Sequence, residues 1–401
     1  MVMANLFFLF LGSTCITTNS RHRSILKPVV YRGILLISIC ILSVLSGCSK
    51  DATEYSVDKS CQIVINPQFF AVQEFKEGFA AIKVGDSIAA KQGFVDLQGK
   101  MLIAPKFDEV HDFSEGFAAV KVSDENGGKY GFINRRGKMV ITPQFFFVGD
   151  FSEGVALMRD GDAFTGKYGF IDKRGKKVVA TKFDAERGFK EGLAAMRIGD
   201  AISGKWGFID KQGTEVITPQ FDFVGDFSEG LAPMRMGSEK SGKWGFIDKQ
   251  GKMVINLQFD YVEPFKEGLA VVRIGDKNSG KWGVIDKQGK MVINPQFDKE
   301  CRFSEALSWV KIGEGKNGKH GFIDKQGRRV INPQFDEVGD FSEGLAAVRI
   351  GDENSGKWGF IDKQGKMVIN PQFDCAGSFS QGLAPVRIGN GTTGKWGFIR
   401  R

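Results

Sequence analysis

From Phe341 to Ser378 the chain reads FSEGLAAVRIGDENSGKWGFIDKQGKMVINPQFDCAGS. The short apolar runs LAAVRIG, WGFID and MVIN are rich in β-branched and aromatic residues, and DENSGK and KQGK separate them with the Asp, Asn, Ser and Gly of turns. This pattern predicts three antiparallel strands joined as a meander. The thirteen residues NPQFDEVGDFSEG then lead into the next unit as a loop, with a Pro that cannot donate to a ladder and Phe side chains to pin it. No stretch keeps a helical period long enough to compete.

The same pattern recurs every 38 residues without an insertion. The residue before an unvarying Gly runs through Gln92, Tyr130, Tyr168, Trp206, Trp244, Trp282, His320, Trp358 and Trp396, and a Phe series runs from Phe69 to Phe373 at the same step. The array fills 61–401, in units beginning at 61, 99, 137, 175, 213, 251, 289, 327 and 365. A fixed period of this size denotes stacked units, each too small to bury a core by itself.

Nine copies show what each position tolerates. The residue after the Gly is Phe in every unit except for Val284, which predicts dry core. The Trp position also admits Gln, Tyr and His, which predicts a partly buried side chain with a polar edge in reach. The Gly between them faces the other side of the strand, and its constancy predicts a bulge or a close neighbour, with the Trp ring stacked over it as the preferred picture. Glu77 and its counterparts, replaced by Gln only at 381, precede by six residues a basic series from Lys83 to Arg387. Like charges in register repel unless opposite charges alternate, so Glu is expected to pair with that basic series.

The Lys-Trp-Gly-Phe-Ile-Asp core, the preceding Phe-Ser-Glu-Gly-Leu-Ala run and the 38-residue unit resemble the WG, or KWG, repeat of bacterial proteins across 61–401. The resemblance implies an all-β repeat protein and carries no catalytic residues. Two arrangements remain: an open β-solenoid of nine three-stranded meanders, or a closed propeller-like ring. The array starts on a third strand and ends on a second, as in rings whose terminal strands share a blade. Nine units nevertheless exceed the usual four to eight blades, so the open solenoid is expected.

Net charge is +8, but Arg21, Arg23, Lys27 and Arg32 precede Cys48 without an acid, which leaves 51 basic against 47 acidic residues. That mixed surface is not a nucleic-acid footprint. Gly33–Val44 is an apolar run of signal-peptide length, too short to span a bilayer, and Leu45-Ser46-Gly47-Cys48 resembles the bacterial lipobox. Residues 1–47 are therefore expected to be an extension and lipoprotein signal, Cys48 the lipidated residue, and 48–60 a short linker. Initiation at Val29 or Val30 would leave a compact signal. The implied address is the cell envelope, and the outer membrane in a Gram-negative cell. Cys61, Cys301 and Cys375 form no disulfide framework, and a Cys61–Cys375 bridge would require the array to close.

No Ser or Cys stands near a His in a nucleophile-like arrangement, and the carboxylates are ladders rather than a unique pair, so no enzyme is expected. Nor is a cofactor or metal: the repeated loop acids, such as Asp200 and Asp276, lack the ligand number of a calcium site and read as turn caps. Surface is what remains. A non-catalytic, lipid-anchored scaffold that binds a protein through its variable loops (87–90, 163–165 and 314–316) is the first expectation. An envelope polysaccharide stacked on Trp206, Trp244, Trp282, Trp358, Trp396, Tyr130 and Tyr168 is the alternative, and a plain structural spacer is a third.

Overall fold

The structure is a computed structural model that describes residues 59–401 apart from 86–89, 124–126, 162–164, 314 and the side chain of 316. The signal segment, the lipobox with Cys48 and most of the three variable loops lie outside the described residues.

Each repeat contributes to a four-stranded antiparallel sheet, and there are nine such sheets. In the first, a two-residue strand Ala71–Val72 lies at one edge, Phe79–Val84 and Lys91–Asp96 follow, and Met101–Phe107 forms the other edge. The linker expected to be a loop supplies the difference from a three-stranded meander. Its Asn/Ala-Pro-Gln/Lys-Phe part prolongs the last strand, where an edge position tolerates the missing N–H of Pro105. One residue later the chain becomes the short first strand of the next sheet.

The ninth sheet overturns the open solenoid. Its outermost strand is Gln62–Phe69, from the start of the array, paired antiparallel with Lys395–Arg400 from its end: Ile63 faces Ile399 and Phe69 faces Trp396. The array is a closed nine-bladed propeller. Closure removes the two unpaired edges that an open stack would expose to other chains. It also places the Phe398 and Phe75 ring centroids 4.8 Å apart, the same separation as Phe208 to Phe227 between two consecutive blades. The core is therefore a set of blade-to-blade interfaces rather than one centre.

The Phe series after Trp-Gly is buried throughout, Val284 included. The Gly before it is fixed by backbone. A Cβ on Gly207 would lie 2.3 Å from the carbonyl oxygen of Ile217, because the last strand crosses close beneath it where the register shifts between the Trp206–Phe221 and Phe208–Ile217 pairs. Bulge and close neighbour are thus both present, and the close neighbour is the next strand rather than the Trp ring.

Blade 7 departs from the pattern. Lys299 and Glu300 stand where most blades begin the short strand, which forms instead at Phe303–Ser304. Cys301 is buried beside it, and burial pushes its thiol up to about 12. No disulfide is formed by Cys61, Cys301 or Cys375 among the described residues.

Candidate functional site

Two edges of the ring carry different chemistry. At one, the first two strands of each blade meet in a two-residue hairpin, Glu-Gly except for Glu305-Ala306 and Gln381-Gly382, with φ 55° at Glu153 and 89° at Gly154. Left-handed backbone is unfavourable for Glu, yet its carboxylate is used across the blade interface. Glu153 accepts the Gly192 N–H of the next blade at 3.0 Å and Lys211 Nζ at 3.1 Å. Burial raises its pKa, and the Lys211 and Gly192 hydrogen bonds more than offset that, leaving the carboxyl below its usual range. The Glu ladder therefore does not pair with the basic series six residues on; most of its members pair with a Lys, or Arg135 for Glu77, from the last hairpin of the neighbouring blade.

The opposite edge carries the loops between the second and third strands. There the first residue of the short strand, the basic residue, the Trp position and a Phe align across the blade, as in Phe223, Arg235, Trp244 and Phe259. Side chains directly opposite share a face. The Arg235 guanidinium carbon lies 5.7 Å from the centroids of both Phe223 and Trp244, and Arg273 lies 5.7 Å from Tyr261 and 5.5 Å from Trp282. Trp206, Phe223, Trp244, Tyr261 and Trp282 form an unbroken arc with consecutive centroids 5.4–5.9 Å apart.

Trp206, Trp244 and Trp358 are buried, as is Tyr130, while Trp282, Trp396 and Tyr168 are half-buried. The structure brings these rings into the blade interfaces, each against the basic residue of its own blade or the short strand of the next. Tyr130 donates its hydroxyl to Glu109 at 2.6 Å, and His320, in a Trp slot, lies 3.1 Å from the Asp336 carbonyl oxygen.

An Asp just before the short strand clasps neighbouring blades at this edge. Asp222 takes Lys205 Nζ from the preceding blade at 2.5 Å and the Gly237 N–H of its own blade at 2.7 Å, and these hydrogen bonds hold its carboxyl below the usual range. Next to the basic residue, the last side chain of the second strand is exposed and apolar around most of the ring: Val84, Val122, Ile198, Met236, Ile274, Ile312 and Ile350 are 39–47% exposed. Asp160 takes that place in blade 3. The sequence pattern did not single out this circle, although its signal was present as an apolar residue one step after the basic series in eight of the nine units.

The geometry defines a β-propeller assembled from nearly identical blades. A family model described as WG containing repeat matches residues 57–86, 93–125, 130–162, 168–200, 206–239, 244–277, 282–316, 321–353 and 358–396, and the chain belongs to that family. No curated protein gives a match. Among solved structures the chain is similar to a eukaryotic initiation factor, at 11% identity, covering 75% of this chain and 89% of that one with a TM-score of 0.53. It also matches prolyl oligopeptidase B from Galerina marginata, at 11% identity, 72% and 54% coverage and a TM-score of 0.41. The first likeness is one of fold alone; the second carries no argument.

Proposed function

We propose that this propeller is a non-catalytic binding scaffold whose loop-bearing edge takes a protein partner, and that lipid on Cys48 holds it in the cell envelope, at the outer membrane of a Gram-negative cell. The observation that carries the binding reading is the exposed apolar circle through Ile198, Ile274 and Ile350, on the edge that also bears the loops. Regularly exposed Ile, Val and Met at one edge are the mark of an interaction surface more than of a monomer's ordinary coat. A polysaccharide stacked on the Trp series is less well supported, because Trp206, Trp244 and Trp358 have little face to offer. The anchor rests on the lipobox resemblance alone.

The test is crosslinking in cells with the full chain, comparing wild type with Ile198→Asp/Ile274→Asp/Ile350→Asp and with Val216→Asp/Val254→Asp/Val292→Asp. The second set changes valines of similar exposure on the outer strands. A protein crosslinked to wild type and to the outer-strand variant, and lost from the circle variant, supports the reading. Equal crosslinking by all three overturns it. Fatty-acid labelling that persists in Cys48→Ser would remove the anchor from the proposal.

A further inference from the structure

The last hairpin of each blade, between its third and fourth strands, lies at the same edge of the ring as the Glu hairpins. In blades 4 to 8 it begins Asp-Lys-Gln-Gly. Blade 2 replaces that Asp by Asn134 and that Gln by Arg136, and blade 3 replaces the Gln by Arg174, so all three changes move the charge in the positive direction. The turn itself does not require them. Asn134 Oδ1 accepts the Arg136 and Lys138 N–H groups at 3.0 and 3.1 Å, much as Asp210 Oδ1 accepts those of Gln212 and Thr214 at 2.9 and 2.8 Å.

The acids of this edge do not cancel the excess. The turns 134–138 and 172–176 hold six basic residues and one carboxylate, that of Asp172, whose Oδ1 accepts the Arg174 and Lys176 N–H groups. Glu77 engages Arg135 and Glu115 engages Lys173, while Glu153 is held by Lys211 of blade 4. Arg136, Lys138, Arg174 and Lys176 stand exposed to solvent. At the blade 2 turn a depression of about 290 Å³, lined by Gly116, Asn134, Arg135 and Arg136, is roomy enough for a phosphate headgroup. The basic sector ends at blade 4, whose hairpin runs into Thr214 and Glu215.

The chain also enters the ring at this edge. Gln62 pairs with Arg400, at the end of the strand Lys395–Arg400 that in the other blades continues into the last hairpin. Cys48 lies fourteen residues before Gln62, about 50 Å at full extension, so an acyl chain on Cys48 would be tethered from this edge, two blades round from blade 2. We propose that the hairpin edge of blades 2 and 3 rests on the anionic phospholipid headgroups of the membrane that holds Cys48, which turns the loop-bearing edge and its apolar circle away from the membrane; the inference rests on the lipid-anchor reading above. Exposed Lys and Arg close to such a surface are attracted to it, and the attraction fades within a Debye length. The tether brings a membrane, rather than an acidic protein, within that distance.

The test is lysine acetylation, mapped by mass spectrometry, on the full chain expressed in cells and reconstituted on vesicles of phosphatidylcholine alone or of phosphatidylcholine and phosphatidylglycerol in equal parts. Lys138 and Lys176 are expected to react about threefold or more slowly on the mixed vesicles at low salt. Lys240 and Lys277, exposed in loops of the opposite edge, are expected to react alike on both. Asn134→Asp/Arg136→Gln/Arg174→Gln restores residues that other blades carry, keeps both reporter lysines and is expected to abolish the protection. Lys252→Gln/Lys290→Gln/Arg329→Gln removes as much charge from exposed residues at the same edge of blades 5 to 7 and is expected to retain it. Equal labelling on the two kinds of vesicle, protection of Lys240 and Lys277 in place of Lys138 and Lys176, or equal loss in both variants overturns the proposal. With fatty acid found on Cys48, any of these results would remove this inference alone. A chain without fatty acid on Cys48 would remove the anchor reading, and this inference with it.

Discussion

Gln381 Oε1 accepts the backbone N–H of Gly78 at 2.8 Å, across 303 residues of chain. It is the same bond that Glu343 makes to Gly382 and Glu191 to Gly230 between consecutive blades. At the seam alone the Glu is a Gln, and the Lys or Arg that would contact it is Leu97, which packs beside Ile65, Leu383 and Phe398. Two departures from the repeat that lie far apart in sequence therefore form one contact site. A Glu at 381 would face no cation, so the neutral pair is self-consistent. Gln381→Glu and Leu97→Lys are each expected to destabilise, and the double variant to be better than their sum by about 0.5–1 kcal/mol in a double-mutant cycle. Strict additivity in urea unfolding would mean that the two positions are not coupled.

Removal of 59–69 takes the outer strand from the ninth blade while leaving eight blades complete. The edge of Lys395–Arg400 is then open, and so is the interface around Phe398. A lower melting temperature and concentration-dependent association in size-exclusion chromatography are expected. A truncated chain that melts like wild type would show that the seam adds nothing to stability.

Gly207→Ala places a methyl 2.3 Å from a backbone oxygen, where no flexible side chain can give way. A loss of about 3 kcal/mol or more is expected, against little change for Gly188→Ala, whose added Cβ meets nothing within 4 Å. Denaturant unfolding of the pair separates backbone crossing from a general glycine effect.

Glu186 fills the slot that holds buried Val148 and Val224 in neighbouring blades, and neither of its carboxylate oxygens has a partner. Burial pushes its pKa up from 4.5 to about 9. Between those values the folded state holds a proton that the unfolded chain has released, so stability falls as pH rises through this window and is greatest, for this group, below it. Glu186→Val is expected to flatten that slope and to raise stability at neutral pH by about 1–3 kcal/mol. Melting temperatures across the window check both parts. An unchanged slope would show that Glu186 is not buried in solution.

Much of the blade was legible in the repeat. The second and third strands were marked by their apolar runs, the dry Phe by its constancy, and the crossing at the Gly by the absence of any substitute. The short first strand was hidden because two residues cannot display a period, and blade 7 forms it at a different place from the others. Partner choice was hidden too. Glu and the basic residue six positions on looked like one ladder, but the strand between them carries the two charges to opposite edges of the ring.

By itself the sequence determined the number of units, the all-β class and the conformation within each unit, because these rest on local pattern: apolar spacing, turn residues and a Gly where no Cβ fits. Whether the array closes was decided by the tertiary structure. Each blade interface adds a rotation too small to be visible in one repeat, and only nine of them together bring Gln62–Phe69 alongside Lys395–Arg400. The same closure gathers one basic residue from every blade into a circle on the loop-bearing edge and sends the Glu ladder to the far edge.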